Sequence, residues 1–565
     1  MNFVEQIATY YQTEANHGLV TSLTTGAVMI IAALLLWFMS AHWSIQKGVA
    51  IVLVLCGLIF FVGGALAGKM AKNNLPQKVE LYQADRQAFL TEEVEKVEKI
   101  HKQWLPIKLF WAVLIVAGIA IILASAKPFL TGVAIGLLIA GTIGLIEETI
   151  SFQHNKRYRM QVLENSKAQD WAQWRGPLRD GVVKANRINL DWSDKKPSLL
   201  WVFRQAGSGY SSPSIVGTTL YCQGAADGSD FAFALDTRTG NLKWKQNLGA
   251  EYIQDDERGN GPRGSITVDG DKLYLIRGGG QIHCLSADEG TMLWQKDFRT
   301  DFGGRLYRNW GYSESPIVDG NHVICTPGGS QGTMMALDKN TGALVWRSEE
   351  WTDDAVYSSP IVAEVNGIRQ YIQTASNGVA GVSAKDGKLL WEAPIYRGQP
   401  PVIPTPIYHN NMVYVTAGTN LGCNLIRLTL AGDAFNPEIV YFNKNMVNHH
   451  GGVVLLNGHI YGFTDGMGFV CQNFENGETV WRERNVDILK GSVIAVNDRL
   501  LLLNERNGLI TVIAASPEGW KEFGRMEIPE RTKISTSENM VWTHQVIANG
   551  KLYIRDHDLL FCFEL

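Results

Sequence analysis

The hydrophobic pattern changes character near residue 150. Before that point, apolar residues cover every face of four helical stretches: about Leu19–Ser40, Val49–Gly68, Leu109–Ala126 and Phe129–Ile146. Each approaches the roughly 20 apolar residues needed to cross a bilayer. The last two flank a Ser125-Ala-Lys-Pro128 turn and predict a hairpin. A polar segment over about 71–106 separates the second and third runs. In it Leu90, Val94, Val97, Ile100 and Trp104 recur at helical spacing, with Glu and Lys opposite. That predicts a helical hairpin at the membrane surface, its apolar stripe either docked or solvated. Met1–Gly18 contains no Lys or Arg, and three more apolar runs follow the first, so the first run is not a cleavable signal peptide.

Beyond about residue 165 the pattern shifts to short strand-like alternation rich in glycine and tryptophan. One phrase recurs: a strand, an acidic or polar turn, a glycine and a tryptophan. Its clearest copies are Ala234-Leu-Asp-Thr-Arg-Thr-Gly240…Trp244 and Ala336-Leu-Asp-Lys-Asn-Thr-Gly342…Trp346. Weaker copies end in Gly290…Trp294, Gly387…Trp391 and Gly477…Trp481. Strand-opening phrases accompany them, from Tyr210-Ser-Ser-Pro213 through Tyr357-Ser-Ser-Pro360 to Trp542-Thr-His544. Successive openings lie about 41 to 53 residues apart, the length of one four-stranded blade. Asp-Gly and Asn-Gly pairs such as Asp319-Gly320 and Asn457-Gly458 supply tight hairpins.

Eight openings predict an all-β eight-bladed β-propeller preceded by an α-helical four-span transmembrane domain. The boundaries read as an N-terminal tail over 1–18, the membrane domain over 19–150, a linker over 151–169 and the propeller over 170–565. The repeated tryptophan is expected to pack between neighbouring blades. The fifth unit (near Arg427–Tyr441) and the seventh (near Ser516–Trp520) lack the phrase. The C-terminal Phe561–Leu565 is expected to close the ring against a strand from about Trp171–Trp201, which would leave no open edge.

The fourth apolar run carries Gly132, Gly136, Ala140 and Gly144, a small residue every four positions. Such a stripe lets helices approach closely, within the bundle or between copies in a homo-oligomer. A net charge of −4 and the lack of a basic tract exclude a nucleic-acid partner. Seven scattered cysteines without a CxxC read as buried free thiols.

The strand openings and turn phrases resemble the PQQ-like β-propeller repeat family, which includes quinoprotein dehydrogenases and BamB. Asp170-Trp-Ala-Gln-Trp-Arg-Gly-Pro-Leu-Arg-Asp-Gly181 is similar to the WxxxRGPxRDG opening of a bacterial subgroup. The resemblance covers about 170–565; none is found for the membrane part. It implies either a non-catalytic, membrane-tethered module binding a protein or cell-envelope polymer, or a PQQ-dependent dehydrogenase oxidising an alcohol or sugar with PQQ and Ca²⁺ in the axial funnel.

The residues weigh these readings unequally. Arg263 and Lys490 at strand openings offer cations for the cofactor's carboxylates, and Arg305, Arg308 and Arg531 stand in preceding loops. Trp310, Tyr312, Tyr357 and Trp542 offer flat surfaces. Glu314 is the one carboxylate among the openings, so it is the catalytic base only in the dehydrogenase reading; Asp353 or Asp354 would have to reach in from a loop. One carboxylate serves poorly as both metal ligand and base. His449, His450 and His544 are weak metal candidates, because no third ligand has recognisable spacing. Glu147 and Glu148 at the end of the fourth span read as interfacial.

Four spans put both termini on one side of an inner membrane. Eight Lys and Arg residues from Lys69 to Lys108 share that side, with Lys156, Arg157 and Arg159, whereas the opposite loops carry Lys47 and Lys127. The positive-inside rule therefore favours a cytoplasmic propeller. The resemblance to exported propellers and to membrane-bound dehydrogenases implies a periplasmic one, and that is the side expected here.

Overall fold

The computed structural model describes residues 3–40, 44–84, 86–167, 170–185, 188–253, 261–308, 310–397, 402–432, 434–484, 486–536 and 539–565. It comprises two compact units, Met1–Ala168 and Gln169–Leu565.

The first unit is a helical bundle. Helix α1 (Phe3–Asn16) continues through a π-helical turn, His17–Ser22, into α2 (Leu23–Phe38). Helices α3 (Ile45–Ala84), α4 (Arg86–Ala124) and α5 (Pro128–Lys167) follow. Four stretches are long and apolar enough to cross a membrane: Val4–Phe38, Ile45–Tyr82, Glu92–Ala124 and Pro128–Leu163. The polar segment over about 71–106 continues α3 and α4 beyond their apolar parts; residue 85 lies outside the described residues. The expected tail and linker both carry helix. Residues 3–16 of the tail are helical, because Ile7, Tyr10 and Tyr11 bury one face against Phe89, Leu90 and Tyr158. The linker over 151–167 is helical too, as the end of α5.

The small-residue stripe is buried inside this bundle. A side chain on Gly132 would begin 1.9 Å from the Ile45 carbonyl oxygen, and one on Gly136 2.8 Å from Val52. One on Gly144 would meet the Trp111 ring at 2.2 Å, and Ala140 is fully buried. These positions therefore seat α5 on α3 and α4, and the homo-oligomer expected through them has no free stripe to use. Leu90, Val97 and Trp104 of the amphipathic stripe are likewise buried. Their neighbour Glu93, also fully buried, has its carboxylate held by the Tyr11 hydroxyl at 2.8 Å and by Lys78 and Lys96 at 3.3 Å each.

The second unit is an eight-bladed propeller. Seven blades use consecutive strands over 214–250, 267–297, 317–347, 361–393, 407–443, 453–483 and 491–526. Blade 8 combines the strands of 546–564 with Ser198–Phe203, which pairs antiparallel to Leu559–Glu564 and brings Trp201 opposite Cys562. The ring thus closes as expected. All seven cysteines are free and buried.

The repeated phrase links blade to blade. The Trp201 ring of blade 8 lies over Gly240 of blade 1, Trp244 over Gly290, Trp294 over Gly342 and Trp346 over Gly387. A side chain on any of these glycines would start 2.4 to 2.7 Å from the indole. Indole N–H groups also donate to the next blade's turn: Trp201 to the Thr237 carbonyl at 3.1 Å, Trp244 to Ala287 at 3.0 Å and Trp294 to Lys339 at 3.0 Å. Blade 5 lacks the phrase, and Trp391 of blade 4 instead donates within its own blade to Gln370 at 2.6 Å. Tyr441 replaces the tryptophan at the next junction, donating to the Phe474 carbonyl at 2.9 Å.

Candidate functional site

The opening motif crosses the propeller's central channel. Trp171 exchanges backbone hydrogen bonds with Ile215 of blade 1, and Val268 of blade 2 donates to the Ala172 carbonyl. Arg179 donates to the carbonyls of Ser315 (2.6 Å) and Pro316 (3.2 Å) at the mouth of blade 3. Trp174 donates to Thr405 at blade 5 (2.9 Å), and Arg175 to the Val453 carbonyl of blade 6 (2.5 Å). Val182-Val183 then runs parallel to Gly491–Val496 as an extra strand on the axial side of blade 7. Strands from opposite sides of the ring thus meet on one short segment. Both arginines are deeply buried, and burial lowers their basicity, Arg175 to about 10 and Arg179 to about 9.

Beside this segment lies a cavity of about 140 Å³. Its walls carry three aromatic pairs. Trp310 and Tyr357 stack at 5.4 Å and 27°, Tyr210 and Trp542 lie 5.2 Å apart, and Trp174 lies 4.6 Å from the His544 ring. Arg263 lines the wall, donates to the Trp310 carbonyl at 2.8 Å and sits 5.7 Å from the Tyr210 ring centre. Ser313, Ser359 and Ile403 fill the gaps between rings.

The three histidines also line it. His449 Nδ1 lies 3.0 Å from Lys490 Nζ, itself 3.7 Å from Asp465. His544 Nε2 lies 3.0 Å from the His450 carbonyl oxygen. Burial lowers the pKa of His544 to about 3, helped by the Arg175 charge. Burial also holds His450 well below the ordinary range, so both rings are neutral at pH 7. His450 Nε2 stands 3.3 Å from Glu505 but outside hydrogen-bond geometry. Glu505 instead accepts from the Trp542 indole at 2.8 Å.

Seven sequence candidates, Arg263, Trp310, Tyr357, Trp542, His449, His450 and His544, are thus brought to one cavity. Others are not. Lys490 is not on the wall, although its Nζ lies 3.0 Å from His449 Nδ1. Glu314 is turned into blade 3, where it is 2% exposed and accepts from the Thr326 N–H at 2.8 Å. Burial pushes its pKa up to about 8, against the opposing pull of that N–H and of Arg179. Tyr312 is buried, with its hydroxyl on the Pro327 carbonyl. Asp353 is bound by Asn377, Arg305 pairs with Asp354, and Arg531 with Asp556. Arg308 lies 6.0 Å from the Tyr307 ring centre. Among the described residues, no three His, Cys, Asp or Glu side chains converge as a metal cage. Trp174 and Tyr210 join the pocket without standing out in the sequence as pocket residues, although the opening motif and the first blade phrase contain them.

A family model described as the outer membrane protein assembly factor BamB matches residues 231–483. Over 175 residues the chain is 26% identical to the outer membrane protein assembly factor BamB of Shewanella oneidensis, covering 30% of this chain and 41% of that protein. Among solved structures, quinohemoprotein alcohol dehydrogenase from Comamonas testosteroni aligns with a TM-score of 0.50 at 12% identity, over 71% of this chain and 82% of that one. BamB from Moraxella catarrhalis aligns with a TM-score of 0.46 at 13% identity, over 66% and 98%. The repeats and the fold together define a BamB-like, PQQ-like β-propeller. No family model matches the helical unit.

Proposed function

We propose that this protein is a membrane-anchored binding and scaffold module of the bacterial cell envelope, held in the inner membrane by its four long helices with the propeller on the periplasmic side. The observation that carries this reading is the make-up of the axial pocket: among the described residues its wall holds aromatic rings, three imidazoles and one guanidinium, and no carboxylate. A quinone cofactor held with a hard cation asks for several oxygen ligands and for cations facing its carboxylates. Glu314 is buried on the Thr326 N–H of blade 3, and Lys490 is not on the pocket wall. The residues at hand do not fit that cofactor.

A quinoprotein dehydrogenase is the second reading. The stacked Trp310–Tyr357 pair beside Arg263 favours it, together with the shared fold. The two separate in a titration of purified full-length protein with PQQ, with and without Ca²⁺, followed by absorbance and by dye reduction over alcohols and sugars. The binding-module reading expects no saturable binding at about tens of micromolar, well above a specific cofactor's working range. One-to-one binding with dye reduction would replace it by the dehydrogenase.

A further inference from the structure

Helices α4 and α5 meet along an outward-facing crease. A groove of about 350 Å³ follows it, lined by Ile115 of α4 and by Thr142, Leu145, Ile146, Thr149 and Ile150 of α5. The five α5 positions recur at helical spacing and so share one face. The two helices approach closely beside it. A side chain on Gly141 would begin 2.6 Å from Ile115, and one on Gly144 2.2 Å from Trp111. Ile146 and Ile150 are 56% and 51% exposed, and Thr149 spends its hydroxyl on the Leu145 carbonyl at 2.7 Å. The groove is thus an apolar trough on the outer surface of two stretches long and apolar enough to cross a membrane.

One end of the trough is charged. Lys108 lies on the same α4 face as Ile115, two turns nearer the polar part of the helix, with its ammonium 3.9 Å from the Phe152 ring centre. Trp104, a further turn along, donates its indole N–H to the Glu148 carbonyl at 3.1 Å. On α5 the groove face continues into Lys156 and Arg157, both exposed. At the rise of an α-helix they stand about 10 Å beyond Ile150, where long cationic side chains extend into the head-group layer. Among the described residues none of these three cations forms an ion pair. Acids nearby are engaged elsewhere: Glu147 accepts from Ser22 at 3.1 Å, and Glu98 pairs with Arg159 at 2.7 Å. Glu148 remains within electrostatic reach of Lys108, so this end carries three cations against one acid.

An apolar trough that ends in an aromatic ring and cations has the layout of one phospholipid. Acyl chains are as apolar as the groove, so filling it selects nothing by itself; the head group does that. A phosphate head group without an ammonium complements Lys108, Lys156 and Arg157, each cation favouring it about fivefold. An ammonium-bearing head group sets like charges together. We propose that the α4–α5 groove seats one acyl chain of an anionic phospholipid, with Lys108, Lys156 and Arg157 on its head group. This rests on reading the four helices as membrane spans, and it gives the helical unit a ligand of its own, independent of what the propeller binds.

The test is native mass spectrometry of the full-length protein in a nonionic detergent, with phosphatidylglycerol and phosphatidylcholine of identical chains added in equal amounts. One phosphatidylglycerol should be retained about a hundredfold over phosphatidylcholine. Lys108→Gln should cut that preference about fivefold, and the triple change with Lys156→Gln and Arg157→Gln should abolish it. Thr142→Trp, which fills the trough from an exposed position, should expel both lipids. Lys69→Gln with Lys72→Gln, equally exposed cations on α3, should change nothing. Glycerol phosphate in large excess, a head group without chains, should not compete. The changed positions lie on the surface, so thermal midpoints in detergent should match the parent's. Equal retention of the two lipids, an equal loss from the α3 pair, or unchanged retention in Thr142→Trp would overturn the inference. Competition by glycerol phosphate would overturn it in favour of a plain anion site. A protein that stays monodisperse once detergent is removed would instead bring down the membrane reading.

Discussion

At the scale of single residues, Glu314 reads from its position in the sequence as a base and is in the fold a buried acid. Its carboxyl sits at about 8 in the folded chain against an ordinary 4.5. A folded pKa above the unfolded value means that the native chain holds a proton the unfolded chain releases. The associated stability is complete below pH 4.5 and is lost as pH rises through 8. A tenfold difference in proton affinity between folded and unfolded chain is worth about 1.4 kcal/mol, so a rise from 4.5 to about 8 makes the loss on the order of 5 kcal/mol. Glu314→Gln removes the titration and keeps an oxygen for the Thr326 N–H. Urea unfolding should show this variant more stable than the parent at pH 8 and nearly equal at pH 5. Equal stability at both values would mean that Glu314 is ionised in the fold. Arg179 behaves differently, because its hydrogen bonds to blade 3 go to two neutral carbonyls. Arg179→Met should destabilise by about 3 kcal/mol, within the range for stranding buried hydrogen-bonding groups, and the same unfolding curves would measure it.

Between elements, the tryptophan and the following blade's glycine act as one unit. Gly290 has φ +72° and lies under the Trp244 indole, where a methyl group would sit 2.5 Å from the ring. Gly290→Ala therefore adds backbone strain and overpacking together, at about 1–3 kcal/mol. Trp244→Ala should cost about 3–5 kcal/mol. The double variant should cost less than the two singles combined, because the clash disappears with the ring. Strict additivity in denaturation midpoints would mean that the two do not touch. This junction is legible in the sequence because it repeats: the same glycine-to-tryptophan spacing recurs in blade after blade. Arg175 and Arg179 appear once each, so no periodicity exposes their reach across the channel. Trp174 carries no signal as a pocket residue for the same reason, and Glu314 misleads because facing direction is not written in an opening phrase. In the helical unit the stripe of Gly132, Gly136, Ala140 and Gly144 is legible as a packing face, but not which helix it meets. Gly132→Leu should separate α5 from α3 and sharply reduce the yield of folded protein in detergent, whereas Val116→Leu on the exposed side of α4 should leave it unchanged.

On the scale of the whole molecule, two facts depend on distant parts of the chain. The ring closes through Ser198–Phe203 on Leu559–Glu564, so removing residues 559–565 would leave two long strands with open edges. That truncation should abolish cooperative unfolding and drive aggregation in size-exclusion chromatography; a cooperative, monodisperse product would show that seven and a half blades suffice. The other fact is the side of the membrane. If all four stretches cross a membrane, their even number puts the propeller on the same side as the connection between α3 and α4. Charge counting favours the cytoplasm for this side, since Lys and Arg concentrate there. Three of these charges are paired with acids within the helical unit: Lys78 with Glu92, Lys96 with Glu93 and Arg159 with Glu98. The periplasmic assignment then expects a C-terminal alkaline phosphatase fusion to be active and a C-terminal green fluorescent protein fusion to be dark. Fusions in the short α4–α5 turn at Ala126 should show the reverse pair. Fluorescence at the C-terminus with phosphatase activity at Ala126 would put the propeller in the cytoplasm, and its pocket would then meet cytoplasmic rather than envelope ligands.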